Sequence, residues 1–244
     1  MGPAFVDCHS HVVPSGDDGA RTVEEGLQLC DLAAETGTAV LIATPHVLPH
    51  LPLSPERELA IRRAYERLRR TAALELRLGY ELTPAPSLLD DDPARYALEG
   101  TEVVLMEVPF TGPADGLIEL AEHVEAAGFT PLVAHPERTE AIRGRPELAH
   151  ELAQRWPLQV NATSITGYHG PESEELAWRF LEAGDVAIVA SDGHRLARPP
   201  RLDDAYELVR ERLGEEEARP LFDGSALGLS SRRPLPSRAA ARGA

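Results

Sequence analysis

Two histidines one residue apart, His9 and His11, close a short apolar run in Phe5-Val6-Asp7-Cys8-His9-Ser10-His11, and Asp17-Asp18-Gly19 follows one short loop later. Side chains of an extended chain alternate with period two, so both imidazoles project from one side, as metal ligands would. Further donors recur where later apolar runs end: His46, Glu81, Glu107, His135, and Asp192 with His194. The candidate ligand set is therefore His9, His11, Asp18, His46, Glu81, Glu107, His135, Asp192 and His194. All are nitrogen or oxygen donors without thiolate, which suits Mn²⁺, Zn²⁺ or Fe²⁺ and excludes a cysteine-type structural zinc site. The set is too large for a single ion and predicts two or three divalent ions with a bridging carboxylate. Ions so clustered clamp phosphoryl oxygens and acidify a bound water, which is the chemistry of phosphate-ester hydrolysis. Arg138 stands just beyond His135, and Arg198 just beyond His194. There, each guanidinium can fork onto phosphate oxygens.

The elements that must position these residues are legible as periodicity. Seven apolar runs, at 4–8, 39–43, 75–80, 102–106, 130–134, 158–160 and 186–190, alternate with amphipathic helical stretches. The helices are expected at 22–36, 55–74, 114–127, 172–183, 202–213 and 215–222. Thr22 and Glu25 have capping-box spacing, and Gly37, Gly128 and Gly184 stand at helix ends. Such alternation predicts an α/β class barrel whose parallel strands bring their C-terminal ends to one face. Taken singly, Glu81 or Glu107 is an ordinary polar strand end; convergence is what makes them candidates. One domain is expected over 1–231. The Arg-, Ala- and Pro-rich tail, 232–244, reads as disordered.

Composition limits the partners. The 244 residues carry a net charge of −16. Every basic side chain other than histidine is arginine. An acidic chain is a poor non-specific ligand for nucleic acid or a membrane surface. Cys8 and Cys30 form no CxxC pair and are expected to be buried small hydrophobes. With neither a signal-peptide pattern nor an apolar stretch long enough to span a membrane, the expected location is cytoplasmic. His50, His123 and His150 read as surface residues, and His169 as bordering the site. Asp7, on the same side of the strand as His9 and His11, is expected to orient a ligating imidazole.

Asp7-x-His9-x-His11, Asp17-Asp18-Gly19, Ala43-Thr44-Pro45-His46, Ala134-His135-Pro136-Glu137-Arg138, and Ser191-Asp192-x-His194 with Arg198-Pro199-Pro200 carry a family resemblance. In this order they resemble the polymerase and histidinol phosphatase superfamily, PHP. Within it they look most like bacterial manganese-dependent protein-tyrosine phosphatases of the capsule and exopolysaccharide regulator type. The resemblance runs from about Phe5 to Phe222. It implies a single-domain distorted (β/α)₇ barrel with three ions: one at His9, His11, Glu81 and Asp192; a second at Glu81, Glu107 and His135; a third at Asp18, His46 and His194. Arg138 and Arg198 would bind the phosphate, and a metal-activated hydroxide would attack phosphorus in line. The leaving oxygen would be stabilised by a metal or protonated by Asp18 or a ligand-side histidine. The implied substrate is a phosphotyrosine protein or peptide, such as a cognate tyrosine kinase. Histidinol phosphate, another small phosphate ester, or non-catalytic phosphoprotein binding are the alternatives. Val47-Leu48-Pro49-His50 depart from the basic residues that often follow the second-strand histidine in the family.

Overall fold

The computed structural model describes residues 4–229; the tail expected at 232–244 lies outside them. Nine strands pair exclusively in parallel, in two sheets ordered β1-β2-β4 and β3-β5-β6-β7-β8-β9. Their bounds are β1 Phe5–Ser10, β2 Thr38–Ala43, β3 His46–Val47, β4 Glu75–Leu78, β5 Glu81–Leu82, β6 Val103–Glu107, β7 Thr130–Ala134, β8 Leu158–Asn161 and β9 Val186–Ala190. β3 prolongs β2 after Thr44–Pro45, and β5 prolongs β4 after Gly79–Tyr80, so the nine pieces make seven strand units. A bridge between Ser10 and Gly193 joins the first unit to the segment after the last. There the His11 amide donates to the Gly193 carbonyl at 2.7 Å, and the Asp192 amide to that of His9 at 3.0 Å. The result is the distorted (β/α)₇ barrel.

The distortion shows at two breaks at the same level of the sheet, Thr44–Pro45 between β2 and β3 and Gly79–Tyr80 between β4 and β5. The third apolar run is not one strand over 75–80. Gly79 comes so close to Leu98 that a Cβ there would lie 2.5 Å from its side chain, and the chain jogs before pairing resumes at Glu81. β4 therefore pairs with β2 and β5 with β6, which splits the sheet.

Alternation divides the apolar residues between two cores. Val40, Ile42, Val103, Leu105, Leu132, Ala134, Ile188 and Ala190 meet inside the barrel, whereas Leu41, Ala43, Val104, Met106, Val133 and Val189 pack toward the helices. Helix α1, Val23–Glu35, is capped by Thr22, whose Oγ accepts the Glu25 amide at 3.1 Å. In α2, Pro55–Thr71, Ser54 caps and Pro55 supplies a preset φ. It stops three residues short of the expected end because Ala72 turns extended. α3, Asp115–Ala126, is followed by two short helices the periodicity did not reveal, α4 Glu140–Gly144 and α5 Glu147–Ala153. One-turn α6 is Ala162–Ile165, and α7, Pro171–Ala183, ends at Gly184 with φ 74°. α8, Asp203–Leu213, and α9, Glu215–Phe222, close the chain.

Candidate metal centre

The candidate ligands gather toward the face where barrels of this type keep their chemistry: His9 near the end of β1 and His11 just past it, His46 and Glu81 where β3 and β5 begin after the breaks in their units, Glu107 at the end of β6, His135, Asp192 and His194 just past β7 and β9, and Asp18 out on the first loop. Glu81 sits at the centre. Its Oε2 is 2.9 Å from His46 Nδ1, 3.1 Å from His9 Nε2 and 3.2 Å from His11 Nε2, while Oε1 is 2.9 Å from His135 Nε2. Asp192 Oδ1 lies 3.4 Å from both His9 Nε2 and His11 Nε2 and 3.3 Å from His194 Nδ1. Glu107, two residues beyond interior Leu105, brings Oε2 to 3.9 Å from His135 Nε2, and Thr83 donates to its other oxygen. Donor atoms gather as His9, His11 and Asp192; His9, Glu81 and His135; His46, Glu81 and Glu107; and His11, His46 and His194. Glu81 recurs in the second and third groups, in keeping with its expected role as the shared carboxylate, whereas Asp192 falls in one group only and His9 stands with Glu81 and His135 where Glu107 is expected. In the last two, His46 turns Nδ1 to Glu81, so it stands between clusters.

The hydrogen-bond polarity tests whether this set suits cations. Ionised Asp192 only accepts, so Asn161, 2.8 Å from its Oδ2, must present Nδ2. Asn161 Oδ1 then accepts from Gln159 Nε2 at 2.8 Å, and Gln159 Oε1 accepts from His9 Nδ1 at 2.9 Å. His9 consequently carries its proton on Nδ1, and the bare lone pair on Nε2 faces two carboxylate oxygens and, at 3.1 Å, His11 Nε2. A lone pair among anions in a fully buried site is unfavourable unless a cation lies between them. Glu81 Oε2 and Glu107 Oε2 are buried without a hydrogen-bond partner. The donor set therefore fits divalent ions, with Glu81 placed to be shared.

Charge and strain agree with this picture. Burial, followed by the neighbouring Glu81, pushes the Glu107 carboxyl up to about 7. Burial alone would raise Glu81 as well, but in the metal-free chain the positive charge of protonated His9 and His46 holds it far below the usual carboxylate range, a place that a bound cation would take while leaving His9 Nε2 bare. Among the described residues, the only non-glycine positions with positive φ are His135 at 34° and Asp192 at 50°. Both are candidate ligands, and backbone strain of this kind is retained where position matters more than local comfort.

Asp18 differs from the rest. Its side chain is 73 % exposed, with Oδ1 3.2 Å from His194 Nε2 and 3.6 Å from His46 Nε2. His194 holds its carboxyl down at about 2, against a smaller opposing effect of burial. A group that is anionic at neutral pH is a ligand or base, and a poor proton donor to a leaving oxygen. Its neighbour Asp17, absent from the expected set, is buried: Oδ2 accepts the His46 amide at 3.0 Å and faces His11 Nδ1 at 3.7 Å, and Oδ1 accepts the Gly19 amide at 3.0 Å. It fastens the first loop to the second strand unit.

Asp7 does not orient an imidazole. Its Oδ1 accepts the amides of Ser191 at 3.0 Å and His9 at 3.4 Å, so it braces the barrel seam, and Gln159 orients the His9 ring instead. The signal for Gln159 was present, since Gln159 and Asn161 alternate with Leu158 and Val160 in a wholly buried strand. Arg138 Nη1 donates to Asp192 Oδ2 at 2.7 Å, and Arg198 lies against His194 with Nη1 3.9 Å from the same oxygen. Both arginines thus stand at the cluster edge. His50 and His150 are exposed, and His150 pairs with Asp185; His123 is half-buried at the Asp91 carbonyl rather than solvated. His169 is held at Nδ1 by Ser164, which also donates to buried Glu137. Burial, then Arg138 and Arg198, pushes its imidazole down to about 3. Cys8 and Cys30 are free and buried.

Comparison with known proteins decides the family. The profile of the capsular polysaccharide synthesis family CpsB/CapC matches residues 5–227. The chain belongs to the CpsB/CapC family. Curated relatives include the tyrosine-protein phosphatase YwqE of Bacillus subtilis, 27 % identical over 233 residues, covering 92 % of this chain and 91 % of the relative. The tyrosine-protein phosphatase CpsB of Streptococcus agalactiae serotype V is 29 % identical over 238 residues, covering 92 % of this chain and 98 % of the relative. A crystal structure from work on YwqE of Bacillus subtilis and CpsB of Streptococcus pneumoniae, described as unique metal-dependent tyrosine phosphatases, superposes with a TM-score of 0.81. Identity there is 26 %, with 95 % and 98 % of the two chains covered. The inactive dihydroorotase-like domain of a CAD-like protein from Chaetomium thermophilum, 12 % identical with a TM-score of 0.59, covers 93 % of this chain and 80 % of its own; it shares the barrel fold. This member of CpsB/CapC has no helix, among its described residues, long and apolar enough to cross a membrane.

Proposed function

We propose that this CpsB/CapC chain is a metal-dependent protein-tyrosine phosphatase that removes phosphate from a tyrosine-phosphorylated protein of polysaccharide synthesis, such as a cognate bacterial tyrosine kinase. Two or three divalent ions, with Mn²⁺ the chosen metal, would be held by His9, His11, Asp18, His46, Glu81, Glu107, His135, Asp192 and His194. When bound, such ions acidify a water and screen the charge of phosphoryl oxygens.

The observation that carries this reading is the division of labour within Asp192. Oδ1 faces three imidazoles, while Oδ2 is engaged by Asn161 and Arg138 with Arg198 close by. One carboxylate therefore joins the cluster to the guanidiniums. An anion bearing several oxygens, held by Arg138 and Arg198, would sit against the cluster edge. The Asp192–Asn161–Gln159–His9 chain keeps the His9 lone pair aimed inward, and Thr83 holds one Glu107 oxygen so that the other stays free.

The test is turnover by the full chain after metal removal and reloading with Mn²⁺. A phosphotyrosyl peptide and histidinol phosphate are assayed side by side. Faster cleavage of the peptide, lost with chelator and restored by metal, is the expected result. Much faster turnover of histidinol phosphate would overturn the substrate, and a metal-loaded chain inert to both would leave only a binding role.

A further inference from the structure

Among the described residues, five large apolar side chains are exposed. Leu59 and Leu208 lie on α2 and α8, on the outside of the barrel. Phe110, Tyr168 and Leu196 lie on the loops that leave β6, β8 and β9 at the end that carries the ligands. Apolar side chains exposed singly are ordinary; what distinguishes these three is their place on the loops around an acidic, polar site, where a substrate must approach.

Phe110 is the best defined of the three. Its ring is near-parallel to that of His135, at 15° with centroids 5.5 Å apart, and the Arg138 guanidinium carbon lies 4.8 Å from its centroid. Its carbonyl accepts the Glu140 amide at 3.1 Å, which ties the loop to the start of α4. The ring is thus fixed between a candidate ligand and a candidate phosphate-binding arginine, yet 42 % of the residue stays exposed. A polar site that served only phosphate would have no use for this wall.

We propose that the exposed part of Phe110 is the contact surface for the aryl ring of the substrate, and that it selects aryl over alkyl phosphates at the binding step. The inference rests on the phosphatase reading and deepens it by naming the residue that reads the leaving group. An aryl phosphate carries its ring one bridging oxygen from phosphorus. With the phosphoryl group on Arg138, such a ring comes within reach of the aromatic side chain that packs on that same arginine. A methyl or seryl carbon in the same place offers too little surface to cover it. Aromatic pairs contribute about 0.5–1.5 kcal/mol beyond area burial, which converts to selectivity of roughly tenfold at the upper end.

Binding of benzylphosphonate and of ethylphosphonate, in which a methylene stands for the bridging oxygen, to the manganese-loaded full chain, measured by calorimetry, separates this from chemistry, because neither ligand is cleaved. The unsubstituted protein is expected to bind benzylphosphonate about tenfold more tightly. Phe110→Ala should collapse that ratio toward one while ethylphosphonate affinity and metal content hold within about twofold, and Phe110→Trp should keep the ratio. Equal affinities, or no measurable binding of either ligand, in the unsubstituted protein would overturn the proposal. So would a parallel loss of both ligands in Phe110→Ala, which would make Phe110 a support for Arg138 and His135 only. Failure of the phosphatase reading shows itself separately, as absent turnover of the phosphotyrosyl peptide by a chain that still discriminates the two phosphonates.

Discussion

The metal centre has a deep half and an outer half, and they are built differently. In the deep half, His9, Glu81, Glu107, His135 and Asp192 are buried at strand ends, and the amide chain through Asn161 and Gln159 fixes their polarity. In the outer half, Asp18 is mostly exposed on a loop, His46 is part-exposed, and His194, though buried, lies past the end of β9 with its Nδ1 against the guanidinium of part-buried Arg198. Donor types are similar in both. The difference lies in what stands behind each ligand: backbone ladders and buried amides on one side, loops and water on the other. Ions in the deep half should therefore bind more tightly, and the outer position should exchange first.

Four measurements break or sharpen that contrast. The largest effect is expected from His135→Ala or Asp192→Ala, each of which should bring phosphotyrosyl turnover to the assay background while circular dichroism keeps the barrel signature. Retention of most activity by either would dismantle the shared cluster. Next is Gln159→Leu, which frees the His9 tautomer without touching a ligand. Metal affinity should fall about 10- to 100-fold and activity should return with excess Mn²⁺; a variant that titrates like the parent would show that polarity in β8 does not matter.

Smaller is a pH effect tied to Glu107, whose carboxyl is pushed up to about 7 in the metal-free chain. Below that pH it carries a proton that an incoming cation must displace, so this carboxyl's own share of the rise in affinity with pH, at most about tenfold per unit, ends at about 7; His9, His11 and His46, whose imidazoles are raised by their carboxylate neighbours against the effect of burial, add to it and carry the rise further. Calorimetry in buffers of different ionisation heat counts the released protons, and Glu107→Gln should lower that count by up to one below pH 7 and leave it unchanged well above. The smallest effect is expected from Asp18→Asn, about threefold on metal affinity, as fits an exposed charge. A loss as large as that from Asp192→Ala would erase the distinction between the two halves.

Much of this was legible from local rules. Strand alternation put His9 and His11 on one side, and parallel topology sent Glu107, His135 and Asp192 to a common face. Three features were not. Asp17 and Asp18 are adjacent carboxylates of equal chemistry, and which of them turns inward depends on the His46 amide and the His11 ring, contributed by other segments. The break at Gly79 depends on the approach of Leu98, nineteen residues on. Sharing a face with His9 points Asp7 at an imidazole, but the Ser191 amide, brought up by barrel closure, takes it first.

What the sequence by itself determined is therefore the set of donors, their strand-end positions and the family they mark, because backbone periodicity and turn chemistry act over a few residues. Only the tertiary structure decided which donors stand close enough to share a cation, which His9 nitrogen faces Gln159, and where Phe110 stands relative to Arg138. Those are distances between segments far apart in the chain, and closure of the barrel sets them.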